Sequence, residues 1–381
     1  MAGFTVVIAG AGLGGLALAQ GLLRAGIDCT VYERDAALDS RRQGYRLHLD
    51  GTAENALHRT LPPRLADLFH ATSGTPRPRF TLLDHELREL LTKESDDIAY
   101  AVDRLTLRRI LLSGIEDSVV FGTGVGGYDT GQDGRLVVRL GDGATISADV
   151  LVAADGINSV VRQQYLPQAR VAESGVWQVY GAVPLTAETR KLFDESMFGI
   201  FTAISGPEGT FVGVAPVEFP ADTGLRDYMT CSFGARSEWF DNRAGSVRDL
   251  GGTQLHDLVT TAVRTWHPRL REIVAHSDPD SLFALPLRTS VPIPAWSTTR
   301  VTLLGDAIHA MSPASGSGAC TALRDAAHLT DALVQAAHGR DLREALGEYE
   351  REMIDYGFAA VRAGAENGTR FLGQDPLPAS V

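Results

Sequence analysis

Residues 4–15 read Phe-Thr-Val-Val-Ile-Ala-Gly-Ala-Gly-Leu-Gly-Gly. Phe4 to Ala9 is an apolar run that suits a strand buried on both faces, and the glycines begin where it ends. Gly10 permits a tight turn, Gly12 lets a phosphate approach bare backbone, and Gly15 allows the next helix to pack closely. Leu13 and Gly14 complete the motif at the start of that helix, where unpaired N–H groups and positive potential favour an anion. The helical pattern continues to Ala25, closes at Gly26, and a second strand follows over Cys29 to Tyr32. Glu33 ends it, 18 residues after Gly15, where a carboxylate can accept hydrogen bonds from an adenosine ribose; Arg34 adjoins it. A lone GxGxxG is weak. With strand, helix and acidic residue in register it predicts a βαβ dinucleotide site rather than an ordinary glycine-rich turn.

Outward from this unit, Arg41 to Gly51 is basic and glycine-bearing, and Asp103 to Leu112 (DRLTLRRILL) has the pattern of an amphipathic helix. Arg135–Leu140 and Ala144–Ile146 flank the turn Gly141-Asp142-Gly143 as a hairpin, and Asp149 to Ala154 is another buried strand. Between 171 and 285 the texture becomes aromatic and β-branched, as in Val176–Val183, Phe198–Ile204, Phe211–Val217 and Tyr228–Phe233, which predicts a separate β-rich module. Thr299–Leu304 restores the parallel-strand pattern, and Thr321 to about Ala365 is helical. The tail Asp375–Ser380 is expected to fray.

A second glycine-bearing turn separates FAD from NAD as the dinucleotide. The strand Val301-Thr-Leu-Leu runs into Gly305-Asp306-Ala307-Ile308-His309, then Pro313, then Gly316-Ser317-Gly318 and a helix. An Asp at a strand's C-terminal edge can accept a hydrogen bond from a ribityl hydroxyl. The glycines and the helix start after them offer backbone N–H groups to the pyrimidine edge of a flavin, where reduction places negative charge.

Three motifs in order, the GxGxxG with Glu33, Ala154-Asp155-Gly156 followed by Ser159 and Val161-Arg162, and Gly305-Asp306 with His309, Pro313 and Gly316, resemble the class A flavin monooxygenases. That is the family of para-hydroxybenzoate hydroxylase and the tetracycline-modifying monooxygenases, and the resemblance covers nearly the whole chain. It implies an α/β fold of the glutathione-reductase type: an FAD-binding domain from 1–170 and 286–381 with a C-terminal helix, and an inserted β-rich substrate domain over 171–285. It implies non-covalent FAD, with Asp155 and Gly156 supporting the pyrophosphate loop and the docking of NAD(P)H. Arg104 matches the family arginine that reaches toward FAD, and Arg42, two residues before Gly44, an arginine on the loop beside the flavin. The chemistry it implies is oxygenation through a flavin C4a-hydroperoxide, by hydroxylation or epoxidation with Baer-Villiger insertion left open, with O2 as oxidant and NADH or NADPH as a transient electron donor. No second GxGxxG follows a strand, so no dedicated nicotinamide fold is expected. The substrate implied is an apolar, aromatic or polyketide-like small molecule, in keeping with bacterial secondary metabolism such as antibiotic biosynthesis.

Each residue has a plainer competitor. Asp155 can cap the next turn and Arg104 can be a solvated helix charge. His309 reads as a packing or hydrogen-bonding residue, and His48 either faces the flavin or lines a strand. Trp177, Tyr180, Phe198, Phe201 and Phe211 suit a planar substrate, although core packing accounts for most of them. After Gly318 the small or polar stretch usual in the family is replaced by Ala319-Cys320-Thr321, and no thioredoxin-like third domain is expected, so the compact two-domain form is the one the resemblance predicts.

Composition narrows the partners. There are 35 basic and 47 acidic residues, net −12, which disfavours nucleic acid and anionic membranes. Lys93 and Lys191 are the only lysines, which reads as a bias of GC-rich coding before it reads as selection of arginine for phosphate binding. Cys29, Cys231 and Cys320 are isolated thiols, no group of ligands falls at recognised metal spacing, and a cytoplasmic location is expected. The uncharged stretch before Arg24 carries five glycines between Gly10 and Gly21, which suits a tight loop better than a membrane span. Other classes stay open at this stage: a non-redox FAD-containing cyclase, a non-catalytic flavin-binding protein, and a flavin halogenase. The last is disfavoured because Val291-Pro-Ile-Pro-Ala-Trp296 is the nearest approach to Trp-x-Trp-x-Ile-Pro.

Overall fold

A computed structural model describes residues 4–40, 45–96, 98–220 and 223–379. Arg42, expected beside the flavin, lies outside the described residues with Gly44, as does Ser380 of the tail. Five parallel strands form the first sheet in the order Val301–Leu303, Val150–Ala153, Val6–Ala9, Cys29–Glu33, Val119–Phe121. Val6–Ala9 is central and wholly buried, which is why its residues are apolar without alternation. The helices Leu13–Arg24 and Gly318–Ala337 pack so closely that a β-carbon on Gly21 would stand 2.5 Å from Thr330 Oγ1. The hairpin Leu136–Leu140 and Thr145–Ala148 gains a third antiparallel strand, Val125–Thr130, and its inner face joins the same core. The expected α/β architecture is present, and no described helix is long and apolar enough to cross a membrane.

The second large sheet runs Phe283–Ser290, Val171–Tyr180, Tyr228–Arg236, Phe211–Val217, Gly199–Ser205, Arg77–Asp84, Glu89–Glu94, with Ala182–Pro184 also paired to Tyr228–Arg236. It differs from the sequence reading in two respects. The strands Arg77–Asp84 and Glu89–Glu94 come from far upstream of 171, and the first of them pairs in parallel with Gly199–Ser205. A parallel partner so distant leaves no local signal. Within 171–285 three helices, Ser237–Ala244, Gly252–Ala262 and Pro268–Ala275, pack onto the sheet. Their buried Leu255, Val259 and Val263 recur at four-residue spacing, a helical period that the neighbouring β-branched runs obscure.

The tail departs from expectation at its first residue. Asp375 donates its N–H to Ser174 O at 2.8 Å and accepts from Arg236 Nη1 at 2.8 Å, so it is tied to the second sheet rather than frayed.

Phe240 is fully buried between the Ser237 helix and the sheet, in edge contact with Phe233 and Trp239. Phe240→Ala is expected to cost about 3–5 kcal/mol, read as a lowered midpoint in chemical denaturation. An unchanged midpoint would show that this helical layer carries no stability of the second sheet.

Candidate functional site

The site begins where strands end. Gly10 has φ +105°, and a β-carbon there would meet Ala154 O at 2.4 Å; one on Gly15 would meet Gly10 O at 2.1 Å. Both positions therefore exclude any side chain. At Gly12 a β-carbon meets nothing within 4 Å, and as N-cap it offers no side chain to the helix Leu13–Arg24. The helix start thus faces open space with its first N–H groups uncapped, which suits a diphosphate.

The turn is clamped from two sides. Glu33 is buried; its Oε2 accepts from Ala11 N at 2.9 Å and its Oε1 from Asp35 N at 3.0 Å. Arg108, absent from the sequence-level candidates, is buried and sends Nη2 and Nε to Ala11 O at 2.9 and 3.2 Å and Nη1 to Leu38 O at 2.8 Å. Its only signal in sequence is its position one helical turn after Arg104. Arg34 is exposed beside Glu33.

The Asp155 turn lies against Gly10 through Ala154. Asp155 Oδ2 accepts from Val160 N at 3.0 Å, so the capping competitor is realised in part. Its other oxygen is buried and has no hydrogen-bond partner among the described residues, leaving acceptor capacity at the turn. Burial raises the Asp155 carboxyl above its ordinary range, against hydrogen bonds from Ser159 and the local backbone. Gly156 follows at φ +78°. Arg162, buried, reaches Ile157 O at 2.9 Å and Ala307 O at 3.0 Å, joining this turn to the third.

In that third turn Gly305 has φ +59°, and its N–H donates to Asp325 Oδ2 at 2.7 Å. Asp325, unremarked in the sequence, is wholly buried and also contacts His309 Nε2 at 2.6 Å and Tyr356 OH at 2.6 Å. His309 is equally buried, as its reading as a hydrogen-bonding residue anticipated. Burial opposes its charge, but Asp325 and Asp306 outweigh that and raise its pKa. Asp306 is solvent-accessible although protein packs around its carboxyl. The surrounding protein raises its carboxyl, and His309 and Arg104 pull the other way.

Farther along, Pro313 is exposed and Gly316 has φ +66°; a β-carbon at Gly316 would lie 3.7 Å from the His48 ring, so His48 borders this turn. Gly318 opens the helix to Ala337, whose N-cap Ser317 makes no side-chain capping bond. Ser317 Oγ instead meets Ser315 Oγ at 2.7 Å. Cys320 and Thr321 are turned inward: Cys320 Sγ to His48 O at 3.5 Å and Thr321 Oγ1 to Ser317 O at 2.9 Å. Backbone groups are what this helix start presents.

Arg104, whose charge acts on Asp306, leads to an aromatic cluster. Tyr180 stacks on Phe283 with centroids 5.4 Å apart and 15° between planes, Tyr45 lies 5.5 Å from Tyr180, and Arg104 Cζ stands 5.5 Å from the Tyr45 centroid. All three rings are half-buried, and protein around Tyr180 pushes its phenol well up. Of the aromatics singled out in the sequence, Tyr180 stands here. Phe211 is core, Phe201 stacks on Phe80, Phe198 sits under Arg190, and Trp177 packs on the second core beside Arg248. Tyr45 and Phe283 were not anticipated.

The FAD binding domain family profile matches residues 3–363. The chain is 31% identical to a dual O-methyltransferase/FAD-dependent monooxygenase of Cercospora beticola over 98% of its own length, but spans only 47% of that protein, and about half or less of the other such dual enzymes. It is 30% identical to the FAD-dependent urate hydroxylase of Klebsiella pneumoniae, covering 92% of this chain and 85% of that one. A crystal structure from Photorhabdus luminescens, assigned as an FAD-containing monooxygenase, superposes with a TM-score of 0.86 at 30% identity over 97% of this chain and 98% of that one. Klebsiella pneumoniae HpxO, solved with FAD and uric acid, superposes with a TM-score of 0.79 at 25% identity over 98% and 90%.

Arg108→Met strips Ala11 O and Leu38 O of their donors and is expected to cost about 2–4 kcal/mol, read as a lowered unfolding midpoint. The His309–Asp325 pair predicts a pH signature. Since the folded pKa lies above the ordinary 6.5, the stabilisation is complete below that pH and is lost as pH rises through the raised value. The gap in thermal midpoint between wild type and His309→Gln should therefore be widest at acidic pH and narrow on alkalinisation; a gap that widens with pH contradicts the assignment.

Proposed function

The chain belongs to the family of FAD-dependent monooxygenases built on this FAD-binding domain, and on that premise we propose that it oxygenates an apolar, planar small molecule, aromatic or polyketide-like, with O2 and with NADH or NADPH as reductant. The observation that carries the reading is continuity. Three bare turns at Gly12, Asp155-Gly156 and Gly305–Gly318 adjoin one another, and the last leads past Asp306 and Arg104 to the wall of Tyr45, Tyr180 and Phe283.

Gly10, Gly12, Leu13, Gly14 and Gly15 receive the diphosphate at the helix start, and Glu33 offers its remaining lone pairs to the ribose, with Arg34 flanking it. The free oxygen of Asp155 and the open backbone at Gly156 support the diphosphate loop and the docking of the nicotinamide donor. Asp306 would accept from the ribityl chain, Gly305 supplies the φ that turns it there, and Pro313 and Gly316 shape the turn before Gly318, where the long helix would offer its first N–H groups to the pyrimidine edge. Arg104 adds positive charge beside Asp306. FAD, when bound, supplies the activation and transfer of oxygen. The chain's own part is to bind, to orient the ring and the substrate, and to keep water from both. Uric acid, the ligand of HpxO, is planar, and the half-buried aromatic wall supports a planar guest here.

Purified wild type is expected to be yellow and to consume NADH or NADPH and O2 in step with one of a panel of polycyclic phenols. A colourless protein that FAD does not reconstitute would end the reading. Asp306→Ala removes a carboxylate acceptor and is expected to weaken FAD retention by roughly 10-fold or more, measured as bound flavin per protein after gel filtration. Tyr180→Ala should leave flavin content unchanged and raise KM for the preferred phenol.

A further inference from the structure

The helices Gly51–Thr60 and Pro63–Ala71 are joined by Leu61 and Pro62 alone. Glu54 and His58 stand one turn apart and share a face of the first helix; His70 comes from the last turn of the second. His58 Nε2 and His70 Nε2 are 3.2 Å apart, Glu54 Oε1 is 3.5 Å from His70 Nε2, and the three ligand atoms all lie within 4.8 Å of one another. Two imidazoles at that separation either share one proton or turn both lone pairs on one ion.

The surroundings suit the ion. Ligands at about 2.0–2.1 Å around a tetrahedral zinc stand roughly 3.3 Å from one another, close to the two spacings found. Tyr100 OH donates to Glu54 Oε1 at 2.7 Å, the outer hydrogen bond that commonly orients a ligating carboxylate. Phe69 and Tyr100 pack on the His70 ring with centroids 5.0 and 5.6 Å away, holding it in place. His58 is exposed, so a water has room as fourth ligand.

We propose that Glu54, His58 and His70 bind one divalent transition-metal ion, zinc or a close analogue, which fastens the first of these helices to the second. Two imidazoles and a carboxylate favour zinc, nickel, cobalt or copper over magnesium or calcium. The sequence shows no familiar motif because the third ligand lies on the next helix. The site shares no residue with the flavin groove, so the proposal stands independently of the activity.

Full-length protein freed of metal by chelation and titrated with zinc chloride alone is expected to bind one equivalent, with a Kd on the order of 1 μM or below, and to gain thermal stability. His58→Ala, an exposed change, should weaken binding at least ~10-fold and abolish the thermal shift. His328→Ala, which alters a histidine paired elsewhere with Glu352, should bind as wild type does. Anomalous scattering at the zinc edge should place the ion between the two Nε2 atoms. Binding by His58→Ala equal to wild type, no saturable binding by wild type below ~100 μM, or an ion found elsewhere overturns the proposal and leaves a proton-sharing pair.

Discussion

Backbone meets backbone at the centre of this molecule. The chain at Gly10 runs so close to the Ala154 carbonyl that one added carbon would overlap it, and the helix that follows rests on Gly10 itself at Gly15. Because the two strands leading to these points are hydrogen-bonded neighbours, Val6–Ala9 against Val150–Ala153, their C-terminal ends must turn away side by side. The third turn joins because Val301–Leu303 is the next strand over. A crevice at the carboxyl ends of parallel strands is the consequence, and that is where this architecture takes its ligands.

Such turns leave polar backbone groups without partners, and here charged side chains drawn from distant segments satisfy them. Glu33 and Arg108 hold the N–H and carbonyl of Ala11, Arg162 bridges Ile157 and Ala307, and Asp325 gathers Gly305, His309 and Tyr356. Burying charge is costly unless every partner is in place. These networks therefore tie the geometry of the groove to the integrity of the fold, and they leave Asp306, the Gly12 helix start and one oxygen of Asp155 available to a ligand.

Where the groove ends, the second sheet takes over. Its strand Phe283–Ser290 bonds directly to the third turn, since Ser290 N donates to Ala310 O at 2.8 Å. The pairing of Phe283 with Tyr180 sets both rings against Tyr45, which Arg104 covers, so this aromatic cluster is drawn from three parts of the chain. Tyr228, donating to Asp103 Oδ2 at 3.1 Å, ties the same two layers together just below.

Local chemistry made much of this legible. A wholly buried parallel strand must be continuously apolar, a turn at φ +105° against a carbonyl must be glycine, and an acidic residue must end the neighbouring strand, so residues 4–33 declared their structure without help from the rest. The same held for Gly305-Asp306 and Gly316. What the sequence could not carry were pairings between segments with no common period or spacing: the strand at 77–84 beside 199–205, Arg108 and Asp325 as clamps, Tyr45 and Phe283 against Tyr180, and His70 against His58. Those contacts are set by which surfaces the packed core leaves facing one another, a property of the assembled layers that no window of neighbouring residues records.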